Sequence, residues 1–439
     1  MKYRMLSVAQ SKWLVGSVLV VSLLAYCTIV EWRGLAAMHL LGYDYGFFYY
    51  AFHAVLHHQP ASTLYQFTRE QEFMAKLHFP LYIHNQYVYP PQFAVLLSPL
   101  GSLPLQASTM LWTAISITAY FLGIYWIAST LWRRLSAKKF AFIFLCAAML
   151  TPFQVDAGVG NVNNLLFALI ALTVYLIYKK QKFWLAGIPI GLAIVFKVTP
   201  AAALVYLILR KQWRTGVSAM VTVMITTGIT AVRLGPGAIW GYVSHFVQFG
   251  QTSMKNGPAP YNQSLLGVLG VFVKYHWINL SPSAQQALFG MFAACVAGLV
   301  LVVVLRTHPN RDTDIVITSL VPLLFSPLVE EMHMVLVMPA LIVLLHRLDT
   351  KLKEAKQRRS SAKGAWGLIA ILAVSAILIS LPVTFVLNSL VFRVPQLFWT
   401  QTNMFWVLAG LFTITVVLAL HDNTRASHPR PQSVDFKGA

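Results

Sequence analysis

Acidic side chains are scarce in this chain: 13 aspartates and glutamates stand against 33 lysines and arginines, and only 10% of the 439 residues are charged. Soluble domains carry about 25% charged residues, and 57% of this sequence is hydrophobic, which excludes a soluble globular protein. The positive excess does not indicate a nucleic-acid partner, because the basic residues cluster in short segments between hydrophobic runs, as in cytoplasmic loops. The sequence predicts an all-α, polytopic integral membrane protein.

Cysteines are also few. Cys27, Cys146 and Cys295 each lie inside an apolar run without CxxC spacing, so we expect buried free thiols and neither a disulfide nor a zinc site. The sequence also lacks a GxGxxG motif after a strand, a P-loop and an HExxH motif. We therefore expect no cofactor, no metal ion and no nucleotide cradle.

Hydrophobic runs between basic clusters predict about twelve spans in a single domain over residues 1–439, since about 20 residues cross a ~30 Å hydrocarbon core. The first run is long and has no cleavage site, which favours a retained helix and cytoplasmic termini. The predicted segments are 13–30, 89–131, 140–155, 162–178, 183–197, 200–209, 215–233, 284–305, 313–328, 331–346, 365–388 and 403–420. Two outer loops are expected at 31–88 and 234–283, a basic cytoplasmic loop at 347–364 and a cytoplasmic tail at 421–439.

Several of these segments are too short to cross a bilayer comfortably, namely 140–155, 183–197, 200–209, 313–328 and 331–346. Short helices joined at prolines or glycines are tolerated where the break is buried or lines an aqueous cavity. When the basic clusters are placed in the cytoplasm, the breaks between these short helices lie on the outer side, so we expect an outward-facing cavity. The two halves show no convincing inverted repeat, which disfavours a secondary transporter.

Asp44 is the most unusual residue, because it stands alone among aromatic residues just beyond the first long apolar helix. A carboxylate so near a bilayer is costly unless it has a function. We predict that Asp44 is catalytic, although a helix cap or an ion-pair partner would also explain it.

Lys197 ends an apolar segment and is predicted to bind a phosphate as a point charge, or else to extend its amine to the interface. His333 and Lys255 are the next candidates for the same role. Further substrate contacts are predicted at the outer breaks, although asparagines there could satisfy a helix start and tyrosines could form an interfacial belt. These candidates are Asn161, Asn164, Tyr89, Asn262, Gln263, Glu330 and Glu331.

An ordered set of short motifs resembles glycosyltransferase family 87 over roughly residues 40–345. The motifs are G-x-D-x-x-x-x-Y-x-A from Gly42, Leu64–Tyr65, Y-P-P at Tyr89–Pro91, G-N-x-N-x-L-L at Gly160–Leu166, F-K-x-x-P at Phe196–Pro200, N-Q-S-L at Asn262–Leu265 and S-P-x-x-x-x-x-H at Ser326–His333. The resemblance maps the family's catalytic aspartate onto Asp44 and its late histidine onto His333. The chain departs from the family pattern at Glu330 and Glu331, where a less acidic stretch is expected.

The resemblance implies a GT-C fold and a cell-membrane enzyme whose site opens outward. Such enzymes transfer a sugar, here mannose or a pentose such as arabinose, from a polyprenyl phosphate to a hydroxyl of a lipid or glycan, with inversion. Because phosphate is already a good leaving group, one carboxylate acting as base suffices, whereas inverting glycosidases need two. We expect a monomer among membrane lipids. The alternatives are a lipid-linked sugar flippase or transporter, and a non-catalytic scaffold.

Overall fold

The computed structural model describes residues 8–37, 39–78, 86–255, 262–357, 364–381, 391 and 393–427. Every regular element in these ranges is helical, which confirms the all-α prediction. In chain order the α-helices are α1 (Val8–Ala37), α2 (Tyr43–Leu56), α3 (Phe67–Lys76), α4 (Pro91–Leu97), α5 (Leu105–Leu131), α6 (Ala137–Ala148), α7 (Thr151–Val159), α8 (Asn163–Tyr178), α9 (Phe183–Phe196), α10 (Ala201–Leu209), α11 (Trp213–Leu234), α12 (Gly237–Lys255), α13 (Leu265–Lys274), α14 (Pro282–Arg306), α15 (Arg311–Leu324), α16 (Met338–Gln357), α17 (Ala365–Ser380) and α18 (Asn403–Ser427). Tight 3₁₀ turns form at Ala61–Tyr65, Ser98–Ser102, Glu331–Val337 and Pro395–Thr402.

Long apolar helices identify a membrane protein. Among the described residues, five helices are long and apolar enough to span a bilayer: Leu105–Leu131, Trp213–Leu234, Pro282–Arg306, Glu331–Gln357 and Pro395–Asn423. A sixth span results if α6 and α7, which meet at a 64° bend, cross together. Four further apolar helices, α8, α9, α13 and α17, are only 10–17 residues long. The expected total of about twelve spans therefore stays a prediction.

Close packing fixes the helices that carry the polar residues. Helix α8 packs between α5 and α9, and α9 packs against α11. A Cβ atom on Gly187 of α9 would lie 2.5 Å from the Cβ of Ser218 in α11, which is closer than two carbons can approach. Small residues allow such close approach of membrane helices. The ends of α8 and α9 are thereby held in fixed positions.

Helix α2 lies in the predicted outer loop 31–88 and is almost entirely buried, with the partly exposed Asp44 in its first turn. The Gly42 amide donates to the Gly158 carbonyl at 2.7 Å, which ties the start of α2 to the end of α7. The Trp112 indole donates to the Gly160 carbonyl at 2.8 Å and stacks on Tyr45 of α2. These contacts place the first turn of α2 beside the turn between α7 and α8.

Two expectations differ from the structure. Helix α16 continues to Gln357, well past the expected end at residue 346, because polar residues on a helix that leaves the bilayer do not interrupt its hydrogen bonding. None of the three cysteines, which all lie in described helices, forms a disulfide, but only Cys27 is buried, while Cys146 is partly buried and Cys295 is exposed. The expectation of three buried thiols was wrong, because an apolar residue on a spanning helix can face lipid instead of protein.

Candidate functional site

Asp44 sits in the first turn of α2, where the helix dipole favours a negative charge. The side-chain amide of Asn161 donates to its carboxylate at 2.6 Å. Burial raises the pKa of Asp44 to about 6, while the Asn161 hydrogen bond and the charge of Lys197 act in the opposite direction. The partly exposed carboxylate is thus oriented and is a stronger base than an ordinary aspartate.

Asn161 is held in place by three donors to its side-chain oxygen. The Val162 amide donates at 2.7 Å, the Asn163 side chain at 3.0 Å and the Tyr89 hydroxyl at 3.2 Å. Because the oxygen is engaged in this way, the Asn161 NH₂ group points to Asp44. The asparagine therefore positions the carboxylate as well as occupying the start of a helix.

Asp156, which is fully buried, organises the turn between α7 and α8. Its two oxygens accept from the backbone amides of Asn163 and Asn164 at 3.1 and 2.9 Å, and from the Asn163 side chain at 2.9 Å. These amides begin α8 and have no partner within the helix, so Asp156 caps it from the preceding helix. The sequence alone assigns Asp156 no role, because a carboxylate that caps a helix beginning seven residues later has no local sequence pattern.

Lys197 follows the last residue of α9. Its amine donates to the Asn163 side-chain oxygen at 3.1 Å, lies 2.5 Å from Nε2 of His333 and stands 5.8 Å from the centre of the Tyr89 ring. Burial lowers the pKa of Lys197, and the carboxyls of Glu330, Asp156 and Asp44 oppose that shift. The amine is thus the cation that these acidic groups surround.

His333 joins Lys197 to the loop before the 3₁₀ turn. The backbone amide of Glu330 donates to Nδ1 of His333 at 2.7 Å, and the His333 amide donates to the Glu330 carbonyl at 2.9 Å. The carboxyl of Glu330 is partly exposed. Burial raises the pKa of Glu330, as does the carboxyl of Asp44, while Lys197 lowers it.

The structure brings most of the predicted residues together, namely Asp44, Lys197, His333, Asn161, Tyr89 and Glu330. Others lie in supporting positions. The side-chain amide of Asn164 donates to the Ser116 hydroxyl at 3.0 Å. The Glu331 side chain is buried. Lys255 ends α12, and its side chain lies outside the described part of the structure.

Asn262 and Gln263 contact backbone groups. The Asn262 side chain donates to the Pro327 carbonyl at 3.0 Å and accepts from the Val329 amide at 3.1 Å. The Gln263 side chain donates to the Gln401 carbonyl at 2.6 Å and accepts from the Met404 amide at 3.2 Å. The Asn262 side chain thus holds the loop that precedes His333, and the Gln263 side chain binds the segment at the start of α18. Their predicted contact with substrate stays a prediction.

Comparison with known proteins adds an independent finding. Residues 87–329 match glycosyltransferase family 87. A polyprenol-phosphate-mannose-dependent alpha-(1-2)-phosphatidylinositol pentamannoside mannosyltransferase of Mycolicibacterium smegmatis is 26% identical over 271 residues, which cover 61% of this chain and 62% of that protein. A phosphatidylinositol mannoside mannosyltransferase of Mycobacterium tuberculosis with the same donor and linkage in its name is 26% identical over 290 residues, or 61% of this chain and 64% of that protein.

A third relative is an alpha-(1->3)-arabinofuranosyltransferase of Mycobacterium tuberculosis, which is 28% identical over 160 residues. That match covers 35% of this chain and 36% of the relative. The chain thus matches less than two thirds of the length of each of these relatives. No solved structure gives a significant match.

Proposed function

Because this chain belongs to glycosyltransferase family 87, we propose that it transfers a sugar from a polyprenyl-phosphate carrier to a hydroxyl group of a lipid or glycan. Mannose is the first candidate sugar, since two relatives carry polyprenol-phosphate-mannose in their names. A pentose is the second, because another relative is named as an arabinofuranosyltransferase. The observation that carries the proposal is the oriented carboxylate of Asp44 in one hydrogen-bonded cluster with Lys197.

Asp44 acts as the general base in this proposal. The acceptor oxygen attacks the anomeric carbon of the sugar, the bond from that carbon to the phosphate oxygen breaks, and Asp44 takes the acceptor proton. Attack opposite to the leaving phosphate inverts the anomeric centre. A base is most effective when its pKa lies near the working pH, and the pKa of Asp44, raised by burial to about 6, suits this task.

Lys197 stabilises the departing phosphate. Its ammonium form has three N–H groups, and one of them is donated to the Asn163 side-chain oxygen. Nδ1 of His333 accepts from the Glu330 amide, so Nε2 carries the ring proton and does not accept from an ammonium. When Lys197 binds as the cation, its other N–H groups are therefore available for phosphate oxygens. A fixed cation at the position where negative charge grows stabilises the transition state, and no acid is required on the leaving group.

The placement of charges supports an outward-facing site with both termini in the cytoplasm. Asn163 begins α8, whereas Tyr178 ends it and donates to Asp314, which also binds Arg210 at 2.9 Å. Helix α8 has 16 residues, so the polar groups at its two ends lie about 24 Å apart. Lys179 and Lys180 follow directly after α8, and basic residues favour the cytoplasmic side. A cavity between about twelve spans would hold the polyprenyl chain.

The test is an assay of the purified protein with a panel of polyprenyl-phosphate sugars, scored by release of polyprenyl phosphate. Asp44→Asn should lower kcat by about 10²–10⁴-fold, the usual contribution of a general base, and should still bind the carrier. Asp422→Asn is the matched control, because its carboxylate pairs with Arg347 at a partly exposed position. Full activity of Asp44→Asn would exclude the base role. Carrier transport without any glycosidic product would favour a flippase.

A further inference from the structure

Glu330 has a fixed backbone position. Asn262 bonds the Pro327 carbonyl and the Val329 amide, and the Gln263 amide donates to the Val329 carbonyl at 2.5 Å. The Ser264 hydroxyl donates to the Pro327 carbonyl at 2.7 Å. The loop therefore cannot easily withdraw its acidic residue from the site, whereas a freely moving surface glutamate could turn away.

One imidazole ring connects this loop to the proposed phosphate ligand. Nδ1 of His333 accepts from the Glu330 amide at 2.7 Å, and Nε2 lies 2.5 Å from the amine of Lys197. The two nitrogens belong to one ring, so His333 spans the gap between the Glu330 backbone and the Lys197 amine. The Glu330 carboxyl is partly exposed and acts electrostatically on both Lys197 and Asp44.

The site contains several carboxyl groups, although it is proposed to hold a negatively charged phosphate. The carboxyls of Glu330, Asp156 and Asp44 all act on Lys197. Asp156 is occupied by helix amides and Asp44 by Asn161, and the Glu330 side chain faces the His333 backbone amide in a capping box at the start of the 3₁₀ turn. An uncharged serine or asparagine can cap a helix start equally well, so the charge of Glu330 is the feature that the proposed chemistry leaves unexplained. Glu330 and the adjacent Glu331 are also the two residues at which the chain departs from the expected motif.

We propose that Glu330 determines specificity by allowing the singly charged phosphodiester of the donor to bind beside Lys197 and by disfavouring the doubly charged phosphomonoester of the product. The inference rests on the proposed function. Transfer moves the sugar carbon from the phosphate oxygen to the acceptor oxygen, and the acceptor proton goes to Asp44. The carrier phosphate thereby changes from a diester with one charge to a monoester whose second proton dissociates with a pKa near 6.

The physical reason is the repulsion between like charges. Two negative charges a few ångströms apart in a partly buried site repel by far more than they do in bulk water. One lysine can balance one phosphate charge, but a second charge on the phosphate would meet the Glu330 carboxylate. The product is then bound more weakly than the donor, so release of the carrier follows transfer.

The test compares farnesyl phosphate, as the product analogue, with farnesyl phosphoryl mannose, as the donor. The measured quantity is the inhibition constant of the product divided by the KM of the donor, at several values of pH from 6 to 8. In the wild-type protein this ratio should rise with pH, because the monoester gains its second charge and Glu330 loses its proton over this range. In a site that contains only a cation for the phosphate, the doubly charged product would bind more tightly as the pH rises, and the ratio would fall instead.

Asp44, Lys197, His333 and Tyr89 also face or adjoin the Glu330 carboxyl and can titrate, so variants must isolate its contribution. Glu330→Gln should lower the ratio at pH 8 by about tenfold, a modest effect for one charge pair, and should flatten its pH dependence. Glu330→Asp, which keeps the charge, should retain most of the wild-type slope. Glu72→Gln, on the exposed face of α3, is the matched control and should leave the ratio unchanged.

The possible outcomes separate the two claims. Sugar transfer by the wild-type protein with a pH-independent ratio, or an unchanged ratio in folded Glu330→Gln, overturns the role of Glu330 and leaves the proposed function intact. If Glu330→Gln does not fold, Glu330→Ser, which also removes the charge, takes its place and is judged by the same change in the ratio. If the mannosyl donor and the rest of the sugar panel give no transfer and farnesyl phosphate does not bind, the proposed function is wrong and this inference is wrong with it.

Discussion

Asn161 donates a 2.6 Å hydrogen bond to Asp44 across 117 residues of sequence. The bond stabilises the ionised carboxylate and holds the pKa of Asp44 lower than burial alone would set it. Asn161 is itself fixed by Tyr89 and by the start of α8. This bond therefore joins α2, in the predicted outer loop, to the start of α8.

Asn161→Ala should therefore shift the acid limb of the pH–rate profile. Loss of the donor raises the pKa of Asp44 further above 6, so the base is protonated over a wider range of pH. We expect the acid limb of kcat/KM to move upward by about one pH unit, in line with the loss of one hydrogen bond to a charged group. A profile from pH 5 to 8.5 measures the shift.

Asn310→Ala is the control for that experiment. Asn310 caps the start of α15 by accepting from the Asp312 amide at 3.0 Å, and it is not among the described residues that contact Asp44 or Lys197. Its loss should reduce stability without moving the acid limb. An unshifted profile in Asn161→Ala would mean that this hydrogen bond does not tune the base.

The buried ion pair of Arg210 and Asp314 should be essential for stability. The two side chains are only 2% and 0% exposed, and the guanidinium also donates to Thr307. Arg210→Met leaves a buried carboxylate without its partner, so the free energy of unfolding should fall by about 3–5 kcal/mol. Thermal unfolding in detergent measures the loss, and the fraction that stays folded should keep its KM for the donor.

Lys353→Met provides the comparison. Lys353 pairs with Asp349 at 2.8 Å, but its side chain is 62% exposed. Exposed pairs contribute about 0–1 kcal/mol. Equal losses in the two variants would contradict a special role for the buried pair.

Glu70 should make stability depend on pH. It is buried and accepts the Tyr87 amide at 3.0 and 3.1 Å, and burial raises its pKa from 4.5 to about 8. The folded protein binds this proton more tightly than the unfolded chain does. The resulting stabilisation is complete below pH about 4.5 and is lost as the pH rises toward 8.

Glu70→Gln removes this titration while keeping an oxygen for the Tyr87 amide. Wild-type Tm should fall by several degrees between pH 5 and pH 8, and the variant should fall less. Glu72→Gln, which is exposed two residues further on, should follow the wild-type slope. Parallel curves for wild type and Glu70→Gln would show that Glu70 is not the titrating group.

The sequence singled out candidate site residues because charges are rare among apolar segments, and their roles stay predictions. Asp44, Lys197 and His333 each interrupt or end such a segment, and their chemistry suggested base and phosphate ligands. Asp156 received no role, because its function is to cap backbone amides that only the folded turn presents to it.

Asn262 and Gln263 are residues for which the sequence did predict a role, but their side-chain chemistry is ambiguous. Their amide groups suit a sugar as well as a backbone, and the sequence favoured substrate. In the structure their side chains bond the loop around Val329 and the start of α18. Side-chain chemistry alone does not distinguish these partners, because both offer the same donors and acceptors.

Hydropathy and charge counts by themselves determined that this protein is helical and lies in a membrane, since burial in lipid is a sum over neighbouring residues. The tertiary structure decided which scarce polar groups meet. Asp44 contacts Asn161, and His333 stands between Lys197 and Glu330. Such contacts require atoms to lie within about 3 Å of each other, and only the packing of helices distant in sequence fixes positions that closely.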